Sequence, residues 1–188
     1  KTTLLNNLYG LVKQSAGETY FNHKPLTKKD IAYLTTENYF YPNITGNEYL
    51  ALFVNGAFDL KAWNELFDLP LNELINQYST GMKKKLALLG ILKKDKPVLI
   101  LDEPFNGLDI ETGRVLRSII LKLQSNGKTI LVTSHILETL TNMCNQIHML
   151  ENGQILQSKS SEDFAQLSEE IFEKIEEGNR GLIDKLIP

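Results

Sequence analysis

The sequence predicts an α/β fold with a mostly parallel sheet. Two apolar runs and the acids between them carry that prediction. Val98, Leu99, Ile100 and Leu101 form a continuous apolar block after Pro97, the pattern of a parallel strand buried on both faces. Lys128–Thr133 repeats the pattern, after a helix with Val115, Leu116, Ile119, Ile120 and Leu123 on one face and Gly127 as its stop. At the end of the first run stand Asp102 and Glu103, then Pro104 as a breaker and Asn106–Asp109 as a polar turn. Open α/β sheets place ligands outside the carboxyl ends of such strands.

The remaining elements follow in order. Leu4, Leu5, Leu8, Leu11 and Val12 share a helical face, predicting an amphipathic helix over 2–13. Ile31, Tyr33 and Leu34 predict a short strand. Pro42, Asn43 and Gly46 then punctuate a loop before a helix containing Tyr49, Leu50, Leu52 and Phe53. Tyr39, Phe40 and Tyr41 read either as packing beneath that loop or as a groove edge for a partner's helix. Ser79, Thr80 and Gly81 open a helix that is nearly all apolar from Leu86 to Leu92, and Lys83, Lys84 and Lys85 read as its solvated edge. A strand over Gln146–Leu150, carrying His148, turns at Glu151-Asn152-Gly153-Gln154 into Ile155–Gln157. His23 falls in a polar loop, and a polar helix is expected over 161–177 before a short tail to Pro188.

Bulk properties set bounds. The 188 residues are 42% hydrophobic and 23% charged, as in one soluble globular domain. A net charge of −3 gives no basic surface for nucleic acid. Cys144 is alone, expected on a helix face with Leu140 and Met143 as a buried structural thiol, so there is no disulfide framework. No stretch approaches the roughly 18 apolar residues of a membrane span, and no leader is legible at Lys1, which points to the cytoplasm.

Four stations carry chemistry. Lys1, Thr2 and Thr3 look like the tail of a phosphate-binding loop, GxxxxGK[ST], in which the lysine reaches terminal phosphates and the hydroxyl binds magnesium. Ser79 and Gly81 at a helix N-terminus could meet an anion, or serve as an ordinary cap. Asp102 and Glu103 suit a magnesium nucleotide, one acid holding the ion's shell and the other taking a proton from water, although a charged turn would look the same. His135 follows the second strand on the same sheet edge, where a γ-phosphate would lie.

In that order the stations resemble the nucleotide-binding domain of ABC ATPases, over nearly the whole chain. The resemblance implies a P-loop NTPase core, with a helical subdomain over about residues 44–93 carrying the signature motif. It also implies ATP and Mg²⁺ as ligands. Lys1 resembles the Walker A lysine, Thr2 its magnesium-binding hydroxyl, and Thr3 lies beside the phosphates. Tyr78–Lys85 (YSTGMKKK) resembles the LSGGQ signature, with Ser79 and Gly81 matching and Thr80 replacing a glycine. Asp102 resembles the Walker B aspartate, Glu103 the catalytic glutamate, Asn106–Asp109 the D-loop and His135 the switch histidine. Asp109 thereby joins the nucleotide-binding residues, and Asp102 with Thr2 the metal ligands.

The same resemblance implies a head-to-tail dimer with a second nucleotide-binding domain. It implies a permease partner that holds the subunit on the inner face of the membrane, contacted near residues 36–50. The YSTGM form and the segment Tyr41–Thr45 resemble bacterial drug, antibiotic or polysaccharide exporters. A soluble ABC ATPase of translation or DNA repair, or a non-catalytic fragment, are the alternatives. Thr36 departs from the family, standing where it has a glutamine, with Glu37 next. The family's first strands, adenine-stacking aromatic and phosphate-loop glycines precede Lys1 and are not in the sequence. One lost donor at such a site costs ~10²–10³ in rate, so impaired ATP binding and a poor ATPase are expected of the chain as given.

Overall fold

The computed structural model describes residues 1–173 and Leu186. Two compact units divide the chain, residues 1–135 and residues 136–188.

The first unit is built on a three-stranded parallel sheet in the order β3-β4-β5, from β3 (Ile31–Leu34), β4 (Val98–Asp102) and β5 (Thr129–Thr133). All residues of β3 and β4 are buried, as continuous apolar runs require. β5 was expected to be buried as well but is half-exposed: both outer strands are edges, and α4 covers β3 more fully than α5 covers β5. Helix α1 (Thr2–Tyr9) packs Leu5 against Ile31, Tyr33, Val98 and Ile100, which alternate onto one sheet face. The predicted helix over 2–13 is therefore too long. Gly10 adopts φ 74° and its N–H bonds back to the Asn6 and Asn7 carbonyls, ending the helix and leaving Leu11 and Val12 exposed. A hairpin of β1 (Tyr20–Phe21) and β2 (Lys24–Pro25) turns at Asn22 and His23, both with positive φ. It was not predicted; strands of two residues leave no periodicity to read.

Between β3 and β4 the regular structure is helical apart from one isolated bridge, Thr45–Leu74. Helix α2 (Gly46–Ala51) opens on a capping box, in which Thr45 accepts the Glu48 N–H and Glu48 accepts the Thr45 N–H. It ends before Leu52 and Phe53, which were expected inside it. The aromatic run divides: Phe40 packs on Tyr49, whereas Tyr39 and Tyr41 face solvent, edge to face with each other. Helix α3 (Leu60–Glu65) is capped by Asp59. Helix α4 (Thr80–Lys94) begins at Ser79 as predicted and lies against β3. Gly90 on α4 allows the close approach of α2 and the residues after it, since a Cβ there would stand 3.2 Å from the Tyr49 ring and 2.7 Å from the Phe53 ring. Helix α5 (Ile110–Ser125) connects β4 to β5, burying Leu116, Ile119 and Ile120.

The second unit holds α6 (Leu137–Thr141) and an antiparallel pair, β6 (Gln146–Glu151) and β7 (Gln154–Ser160). Asn152 and Gly153 make its turn with positive φ at both residues, as the sequence predicts. Helix α7 spans 164–173 after a single 3₁₀ turn at Ser161–Asp163, and residues 174–177 of the expected helix lie outside the described residues. Ile147, Phe164 and Leu167 form its core, with Cys144 packed against them. Cys144 lies beyond the end of α6, so the expected helix face is a loop, and it is only partly buried. Burial pushes its thiol pKa up. His148 is exposed on β6 and bonds Ser158 at 2.8 Å.

Candidate functional site

Five side chains from three parts of the chain meet at the carboxyl ends of β4 and β5. Asp102 is the last residue of β4, and Glu103 follows it with φ 49°. That left-handed backbone is uncommon for a residue with a Cβ and turns the two neighbouring acids to different sides. Both are buried. Thr2, in the first turn of α1, donates its hydroxyl to Asp102 Oδ2 at 2.9 Å. Lys1 Nζ lies 3.2 Å from Glu103 Oε1 and donates to the Ser134 carbonyl at 3.1 Å. His135, just past β5 and 75% exposed, sets Nε2 at 3.1 Å from the same Glu103 oxygen and Nδ1 at 3.4 Å from Lys1 Nζ.

Two further residues belong to this cluster and were not predicted. Thr133, at the end of β5, donates to Asp102 Oδ1 at 2.6 Å and accepts the Glu103 N–H at 3.0 Å. Its only sequence signal is a hydroxyl that follows three apolar residues at the end of a strand. Lys84 was assigned to a solvated edge, yet it is 6% exposed on α4. Burial lowers its pKa, and the charges of Asp102 and Glu103 act against that shift. The error arose from reading three lysines as one surface, when a helix turns adjacent residues about 100° apart. Tyr33 also feels the acids: burial, then the charge of Asp102, pushes its phenol up to about 12, while its hydroxyl donates to Asn6.

The other predicted site residues are engaged locally. Ser79 accepts the Met82 N–H as the cap of α4. Asp109 accepts the Thr112 N–H and hydroxyl as the cap of α5, which hold its carboxyl below the usual range, and Lys85 Nζ lies 3.7 Å away. Gly81 sits close to the polar turn after β4, since a Cβ on it would stand 3.3 Å from the Gly107 carbonyl. Thr3 is exposed and accepts a bond from Asn7 at its carbonyl. Thr36 and Glu37 are exposed after β3.

Metal chemistry can be tested on the donor set. Asp102 and Thr2 present neighbouring hard oxygens, but no group of three or more His, Cys, Asp or Glu side chains capable of holding a metal occurs among the described residues. One carboxylate and one hydroxyl fit Mg²⁺, which keeps water and takes ligands from substrate phosphates rather than from an all-protein cage. No described helix is long and apolar enough to cross a membrane.

Comparison with known proteins shows the family. The ABC transporter family model matches residues 1–106. The chain is 33% identical over 174 residues to the thiamine import ATP-binding protein ThiQ of Haemophilus influenzae, covering 84% of this chain and 80% of ThiQ. It spans about half the length of other curated relatives it matches, 53% and 50%. Among solved structures, an ATP-binding subunit of an ABC transporter superposes with a TM-score of 0.80 at 26% identity, over 87% of this chain and 75% of that one. A dimeric post-hydrolysis ATP-binding cassette, MJ0796 bound to ADP and Pi, shares the fold with a TM-score of 0.72 at 21% identity, over 85% and 80%. A sheet whose acids, lysine and histidine converge at one edge, in a chain matched by this family over its first 106 residues, belongs to the ABC transporter ATP-binding family.

Proposed function

We propose that this chain binds and hydrolyses ATP to power a membrane transporter, as the nucleotide-binding part of an ABC subunit. The observation that carries the reading is the convergence of Lys1, Thr2, Asp102, Glu103 and His135 at the end of β4. Lys1 serves the terminal phosphates, and Thr3 flanks them. Thr2 and Asp102 hold Mg²⁺, which neutralises phosphate charge. Glu103 orients and deprotonates the attacking water, and His135 contacts the γ-phosphate. Catalysis is then positioning plus electrostatic stabilisation. Lys1 and His135 both engage one oxygen of Glu103, which keeps the lysine, the histidine and the base within reach of one reacting centre.

Ser79, Gly81 and Asp109 serve a nucleotide on a second copy in a head-to-tail dimer. Ser79 and Asp109 cap their own helices and take no part in the cluster around Glu103, which supports that division. Residues 1–188 act as one ABC domain, with the helical segment 44–93 as its subdomain. A permease holds the subunit on the inner membrane face; exposed Tyr39 and Tyr41 lie in the segment offered to it. The YSTGM signature and Tyr41–Thr45 favour an exporter. ThiQ, named for thiamine import, supports an importer as the second reading.

The test is thermal unfolding of the protein with and without Mg·ATP. At 100 times its Kd, nucleotide adds about 2.7 kcal/mol and raises the melting temperature by several degrees. A melt that saturating Mg·ATP leaves in place would overturn the reading.

A further inference from the structure

Two acids in sequence do not by themselves adopt two roles; something must hold them in different orientations. Thr133 faces Asp102 directly in the β4–β5 register. Through one hydroxyl it binds both acids, donating to Asp102 Oδ1 at 2.6 Å and accepting the Glu103 N–H at 3.0 Å. The first bond divides the Asp102 carboxylate: Oδ1 is tied to β5, and Oδ2 is left on the side of Thr2. The second satisfies the N–H of a residue that is 6% exposed and held at φ 49°. A buried N–H without a partner is costly, so this bond supports a backbone geometry that residues with a Cβ otherwise avoid. Valine would suit an apolar strand equally well but could make neither bond.

We infer that Thr133 is a positioning residue for the Asp102–Glu103 pair, setting the metal-facing oxygen of one acid and the water-facing direction of the other. The inference rests on the ATPase reading. It concerns a residue that would touch neither nucleotide nor metal and acts through the two acids. Groups that orient metal-binding carboxylates typically contribute 10–100-fold to metal affinity or activity.

The experiment compares wild type with Thr133→Val, Thr133→Ser and Glu103→Gln in the full-length protein. Mn²⁺ binding in the presence of saturating ADP, followed by the electron paramagnetic resonance of free Mn²⁺, needs no turnover. Thr133→Val should weaken Mn²⁺ binding by about 10–100-fold and lower kcat within the same range while KM for ATP stays in place. Thr133→Ser keeps the hydroxyl and should restore both, and ADP binding without metal should be equal in all. Should Thr133→Val fold poorly, Thr133→Ala replaces it with the same expectation. Wild-type Mn²⁺ affinity in the hydroxyl-free variant, or a serine variant as impaired as the valine one, overturns the inference. Failure of the ATPase reading looks different: wild type that binds no nucleotide, or Glu103→Gln that turns over at the wild-type rate.

Discussion

The carboxyl ends of β4 and β5 and the openings of α2, α4 and α5 both concentrate polar side chains, but they bond at opposite ranges of sequence. At the strand ends, Thr2 reaches Asp102, Lys1 reaches Glu103, and Thr133 reaches both acids, each pair at least 30 residues apart. At the helix openings, Thr45 bonds Glu48, Ser79 bonds Met82 and Asp109 bonds Thr112, all three residues apart. Local caps form wherever the helix forms. The strand-end bonds exist only when β3, β4 and β5 pair in the correct register and α1 is seated on them.

The largest expected break in this contrast is Glu103→Gln. It keeps the shape of the side chain and removes the base, so turnover should fall by ~10²–10⁴ while nucleotide binding persists. Steady-state hydrolysis beside equilibrium ATP binding measures both, and undiminished turnover would take Glu103 out of the base role. A smaller effect is expected at the local end. Ser79→Ala should cost about 1 kcal/mol of stability in denaturant unfolding, and Ser79→Thr should recover most of it. A much larger loss would show that Ser79 belongs to a tertiary network.

An effect confined to alkaline solution bears on the strand-end region. Burial and the Asp102 charge raise the Tyr33 phenol to about 12. A raised folded pKa contributes stability that is complete below the ordinary value near 10 and is lost as pH climbs through 12. Tyr33→Phe should therefore flatten the loss of stability between pH 10 and 12 in denaturant titrations. An unchanged slope would show that the phenol is not held neutral by its surroundings.

Much of the architecture was legible because its causes are local. Val98–Leu101 and Thr129–Thr133 are strands as their apolar runs predict, Ser79 caps α4, and Asn152-Gly153 turns the β6–β7 hairpin. Errors arose where a local pattern met a tertiary boundary. Leu11 and Val12 continue the helical period of α1, but Gly10 takes the left-handed conformation and Leu5 is the one residue of the helix that is buried. Leu52 and Phe53 likewise extend the apolar count past the last turn of α2.

By itself, the sequence determined β3, β4 and β5, the Ser79 cap, the turn of the β6–β7 hairpin and the four stations that mark the family, since each depends on residues within a few positions of one another. Only the tertiary structure decided that Lys84 lies buried near the acids while Lys83 and Lys85 are less so, that β5 is an edge, and that Thr133 joins Asp102 to Glu103. Those outcomes depend on strand register and on which face of a helix meets the sheet. Both are settled by the summed packing of residues far apart in the chain.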